Sequence, residues 1–153
     1  MSALEHQVRF SNLYERRAEV IARLYALLVN LQNACQKFVF VGAYETDMTK
    51  RQEEFRKTRE ILNEVGLFFE GHQIFLSDNV SALLVEFFEA VGKPVASVWV
   101  YEGYTNGPPN FRAEKVEALS KSAEAFKLQI PTIRAALRDE FRKILGVEVK
   151  NRD

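Results

Sequence analysis

The chain has 153 residues, 47% hydrophobic and 27% charged, with 21 basic side chains set against 21 acidic ones. That is the length of one ordinary domain, with enough apolar material for a core that needs no metal or disulfide staple. Zero net charge excludes a strongly basic phosphate-backbone binder, and a lone cysteine excludes an intramolecular disulfide. No apolar run approaches the roughly 20 residues that a membrane span requires.

The first element is a long helix. Leu13, Val20, Leu24, Leu27, Leu31, Ala34 and Phe38 recur at spacings of three and four, and Arg17 occupies the missing beat. Tyr14, Ile21, Leu28 and Cys35 form a second stripe beside them, so one wide apolar face faces the core. Gly42 to Asp47 reads as the turn, with Thr46 or Asp47 as the cap of the next helix. That helix carries Met48, Phe55, Leu62, Val65 and Phe69 inward and a dense charged face outward, and Gly71 is expected to end it with φ > 0.

A short link, His72 to Leu76, leads to a third segment capped by Ser77 or Asp78. It is the most apolar in the chain. Val80, Leu84, Phe87, Val91 and Val98 fit one face, and Val85, Phe88, Val95 and Trp99 a second. Gly92-Lys93-Pro94 predicts a kink or break in its middle. The stretch Val95 to Tyr101 is rich in β-branched and aromatic residues. It is read as helix because a lone strand would find no partner. Thr105 to Asn110 is the clearest break. Beyond it Val116, Leu119, Ala123, Phe126, Ile130, Ile133, Leu137, Phe141 and Ile144 keep one rhythm through Pro131, which predicts a kinked but continuous helix ending at Gly146.

The fold expected is all-α: one domain spanning the chain, an elongated antiparallel four-helix bundle with helices at about 3–41, 47–71, 78–104 and 110–146. The opening residues carry no apolar signal segment, so a cytoplasmic chain is expected. Cys35, inside an apolar pattern, is expected to be a buried, inert thiol.

The chemistry-bearing motifs are absent. The two histidines, His6 and His72, follow Ala3 and Phe69 by three residues, so no Glu-x-x-His metal signature exists. There is no Gly-rich phosphate loop and no Gly-x-Ser-x-Gly elbow. No catalytic, cofactor-binding or metal-binding residue is assigned. His72 reads as a side chain favoured at the negative end of a helix.

Three features point toward partners. Phe88, Val95, Trp99, Val100 and Tyr104 are apolar on sides of the third helix that the core does not claim. They are the candidate surface for a homodimer or a protein partner. Arg134, Arg138 and Arg142 recur at every fourth residue and are a candidate stripe for nucleic-acid phosphates or an anionic membrane. Interspersed Asp139 and Glu140 make a solvated face the blander reading. Tyr14, Tyr25, His72 and Trp99 are candidate lining for a small-molecule site inside the bundle.

Three stretches also resemble a loose group of uncharacterised bacterial helical proteins. They are Tyr14-Glu15-Arg16-Arg17-Ala18-Glu19-Val20-Ile21-Ala22-Arg23-Leu24-Tyr25, Gly71-His72-Gln73-Ile74-Phe75-Leu76-Ser77 and Asp139-Glu140-Phe141-Arg142-Lys143-Ile144-Leu145-Gly146. Members of that group often carry a transmembrane helix before the first segment, where this chain has a short polar lead-in. The resemblance implies a helical-bundle fold and a bacterial origin, and no activity. The reading that follows is a non-enzymatic helical interaction module.

Overall fold

The computed structural model describes residues 2–102 and 111–147, and all regular structure in them is helical. α1 spans Ala3–Tyr44, α2 Met48–Gly71, α3 Asp78–Glu102, α4 Phe111–Glu124 and α5 Ile130–Ile144. A 3₁₀ turn, Gln73–Phe75, links α2 to α3, and a π-helical turn, Ala125–Gln129, joins α4 to α5 in one continuous segment. The described residues thus make four helical segments, and residues 95–101 belong to α3.

Local sequence sets each boundary. Ser2 and Glu5 close a capping box at the start of α1: the Ser2 hydroxyl accepts from the Glu5 amide at 3.2 Å, and the Glu5 carboxylate from the Ser2 amide. α1 continues through Gly42 to Tyr44, longer than expected, and the turn shrinks to residues 45–47. Asp47 caps α2, its Oδ1 accepting from the Thr49 amide at 2.9 Å. Ser77 caps α3 through the Val80 amide. Gly71 does not take positive φ; α2 instead winds down into the 3₁₀ turn through Phe75 N–H to His72 O and Leu76 N–H to Gln73 O, both 3.0 Å. Positive φ appears at Gly146, +71°, where Val147 N–H reaches Arg142 O and Gly146 N–H reaches Lys143 O. This paired motif requires a residue free of the Cβ clash.

The core runs along α1 from Val20 to Val39 and takes in Val80, Leu84, Phe87, Val91 and Val98 of α3, together with Ile130, Ile133, Leu137 and Phe141 of α5. α3 packs on α1, α4 and α5, so its apolar excess is largely absorbed by neighbours. α2 lies against α1 and buries only Thr58 and Val65; Met48 and Leu62, expected in the core, are on its exposed margin. Leu13, likewise expected inside, is 57% exposed, because residues 3–16 of α1 extend past the core.

The α4–α5 segment shows how proline was accommodated. Pro131 has no N–H to give the Lys127 carbonyl, and the helix widens before it: Ile130 N–H reaches back five residues to Ala125 O. The wide turn inserts one residue into the rhythm. Upstream, Lys115, Ala118, Leu119 and Ala123 are half-buried and Ser122 is buried, whereas Val116 is left 66% exposed. The expected line is therefore displaced at Val116, where Lys115 turns inward instead, while Leu119 and Ala123 stay half-buried. In α3, Pro94 sits inside a helix that continues on both sides, without the break considered from the sequence.

The displacement sets a contrast. Leu28→Ala, at a fully buried position, should lower stability by about 3 kcal/mol, whereas Val116→Ala should stay within about 0.5 kcal/mol. Urea denaturation of the two variants measures both. A comparable loss from Val116→Ala would mean that the fourth segment carries no inserted residue.

Candidate functional site

Arg17, the polar residue on an apolar beat, neither snorkels to solvent nor meets a carboxylate. It is half-buried, and its Nε donates to the backbone carbonyl of Phe75 at 3.1 Å. A guanidinium from α1 thereby holds the α2–α3 link. His72 lies in the same link. Its Nδ1 stands 2.7 Å from the Phe68 carbonyl, which can only accept, so Nδ1 carries the proton, and the ring stacks on Phe68 at 4.0 Å. This satisfies an orphan carbonyl at the end of α2 and leaves His72 a capping role.

The arginine stripe is not three free cations in a row. Arg134 is half-buried and donates to Oε1 of buried Gln32 at 2.9 Å, tying α5 to α1. Arg138 Nε lies 3.5 Å from Asp139, too poorly aligned for a hydrogen bond. Arg142 is exposed in the last turn of α5.

The candidate surface on α3 divides. Phe88 and Val95 are half-buried against the core, Phe88 beside Phe69 with ring centroids at 5.9 Å. Trp99 is 41% exposed and stacks on Phe55 of α2 at 3.7 Å and 12°. Val100 turns the other way and lines a groove between α3 and α4. Tyr104 lies outside the described residues.

Tyr14, Tyr25, His72 and Trp99 likewise do not converge. The Tyr14 hydroxyl donates to Leu145 O at 2.9 Å, and Tyr25 meets Phe141 edge-on. Trp99 lines a cleft that the sequence did not predict. It has a volume of about 330 Å³ between α2 and α3, with Cys35 of α1 at its base. Buried Cys35, Thr58 and Val91 form the floor; Arg59, Leu62, Ala96 and Trp99, all exposed, form the mouth. Thr58 Oγ1 is satisfied by the Glu54 carbonyl at 2.8 Å. Burial pushes the Cys35 thiol from 9.0 up to about 12, so the floor carries no charge. The groove between α3 and α4 is larger, about 570 Å³, but its lining mixes both signs and Lys121 is already paired with Glu117 at 3.1 Å.

Among the described residues, no group of three or more His, Cys, Asp or Glu side chains is placed to hold a metal ion, and no helix is long and apolar enough to cross a membrane. Comparison of the chain with protein-family models, curated proteins and solved structures yields no match.

Two outcomes follow from these geometries. Arg17→Ala removes a charged donor and leaves the Phe75 carbonyl without that partner, and should cost about 1.5–3 kcal/mol in urea denaturation. The raised Cys35 pKa means that the folded state holds its proton more tightly than the unfolded state. The stability this contributes is complete below pH 9.0 and is lost as pH rises toward about 12. Subtracting the pH profile of Cys35→Ala, which lacks this titration, isolates the slope from tyrosines and lysines ionising in the same range.

Proposed function

We propose that this chain is a non-enzymatic helical module that self-associates, with the N-terminal part of α1 as the contacting element. One observation carries the reading. Every residue from 2 to 16 is exposed, yet Phe10 and Leu13 stand seven and four residues ahead of Arg17, which itself stands three ahead of Val20, in step with the buried stripe. The apolar face of α1 therefore continues beyond the core that covers it, and Phe10 is 68% exposed. Such a face favours burial against another helix, each fully covered Phe or Leu being worth about 1.5–3 kcal/mol.

The occupant proposed is a second copy. Glu5 and Glu15 are matched by Arg9 and Arg16 on the same stretch, so two copies meet without like-charge repulsion. A two-fold pairing would place the same stripe on both sides of the contact. The capping box at Ser2 and Glu5 helps hold the segment helical ahead of association.

The body from which this element projects is best described as an antiparallel four-helix bundle. Pairs that run in opposite order along the helices support that arrangement: Arg23–Glu64 and Lys37–Glu54 between α1 and α2, Phe55–Trp99 and Phe69–Phe88 between α2 and α3, and Tyr25–Phe141 and Gln32–Arg134 between α1 and α5. Pro94 and the π turn before Pro131 are the two places where its helices bend.

Light scattering at tens of micromolar should report a dimer. The double variant Phe10→Glu with Leu13→Glu should be monomeric with unchanged helical circular dichroism, since neither side chain belongs to the core. A monomeric native chain would sink the proposal, and dissociation by Trp99→Ala alone would move the contact to α3.

A further inference from the structure

We propose that the cleft between α2 and α3 is a binding site for a small apolar carboxylate, a medium-length acyl chain whose carboxylate is held by Arg59. This inference does not rest on self-association. The first argument is the distribution of polarity. The floor is uncharged and its hydroxyl is already satisfied, while the one charged group that lines the cleft, Arg59, stands at the mouth. An amphiphile with a hydrocarbon body and an anionic end matches that order.

The second argument is the state of Arg59. α2 is heavily charged, and its other cations near the cleft are answered: Arg56 by Glu53 and Glu60, Lys57 by Glu54. Across the helix pair, Arg23 meets Glu64 and Lys37 meets Glu54. Arg59 has Phe55 and Arg56 behind it and Leu62 and Asn63 ahead, with no carboxylate at helical spacing. Among the described residues it makes no ion pair. A guanidinium beside apolar surface is suited to a carboxylate, which it meets through two parallel N–H donors.

The third argument is space. The volume, about 330 Å³, lies within the range of natural small-molecule sites and is roughly twice the ~150 Å³ of an apolar cavity that takes up benzene. Gly92, on the α3 wall, opens it: a Cβ there would meet nothing within 4 Å, and its φ is not positive. Neither steric crowding nor backbone conformation demands glycine at this position.

Trp99 is the chain's only tryptophan and lines the cleft, so its fluorescence reports occupancy. Decanoate, decanol and decyltrimethylammonium are titrated below their aggregation concentrations into the full-length chain. Decanoate should give a saturable change in Trp99 emission, and decanol should bind about tenfold or more weakly, the effect of losing one charge-assisted hydrogen bond. The cationic probe should bind least. Arg59→Gln should reduce decanoate to the level of decanol without affecting decanol. Gly92→Leu should abolish binding of both while leaving the thermal midpoint equal or higher, which separates a filled cleft from an unfolded chain. A non-saturable response to decanoate, equal binding of decanol and decanoate, or undiminished binding by Gly92→Leu would each overturn the proposal. The oligomeric state measured by light scattering does not enter any of these outcomes.

Discussion

The buried stripe of α1 from Val20 to Val39 is the surface on which the other elements converge. Leu24, Leu28 and Leu31 are fully buried there, and each contributes on the order of 1.5–3 kcal/mol by leaving water. Net stabilities of domains are only about 5–15 kcal/mol, so a few such side chains decide whether the chain folds. Polar contacts then fix positions along the stripe. Thr58 stands against Ala34 on the α2 side, Gln32 takes Arg134 on the α5 side, and Arg17 reaches the α2–α3 link. Surface pairs such as Arg23–Glu64 add little, since exposed ion pairs are worth about 0–1 kcal/mol.

The same dependence explains what lies outside the core. The stripe runs further along α1 than the packed core does, so residues 3–16 are helical and exposed. A helical segment is held by its cap and by continuity with the packed turns, because nucleation is the costly step and extension is cheap. The Tyr14 hydroxyl on the Leu145 carbonyl ties this part of α1 to the C-cap of α5.

Much of the fold was legible because helices announce themselves by period. The start and end of α2, the start of α3, the stop at Gly146, the buried thiol and the inward faces of α1, α3 and α5 all follow from local spacing and cap chemistry. The capping box, Ser2-Ala3-Leu4-Glu5, has the spacing of its kind in the sequence but was identified only by its hydrogen bonds. Three things were not legible. A π turn leaves no spacing signature of its own, since residues on either side of Pro131 can be threaded on one line whether or not a residue is inserted; only tertiary burial tells Val116 from Lys115. Where α1 outruns its neighbours depends on their lengths, so Leu13 could not be told from Leu24 by pattern. Arg17's partner is a backbone carbonyl, which carries no residue identity for a sequence to reveal.

The cleft was hidden for a related reason: it is made by what α2 and α3 fail to share. α2 follows α1 closely and touches α3 through large aromatic side chains, Phe55 on Trp99 and Phe69 on Phe88. Such contacts hold two helices apart at their ends of the interface, and small residues between them, Gly92 and Ala96, do not fill what remains. Interiors ordinarily pack to crystal-like density, and an unfilled volume forfeits dispersion contacts along its walls. Glycine inside a helix adds a further cost of about 1 kcal/mol relative to alanine. Both costs fall on one site, and alanine at Gly92 would fit without collision. Stability alone therefore gives no reason for this arrangement, whereas a ligand that occupies the space and meets Arg59 at its mouth gives one.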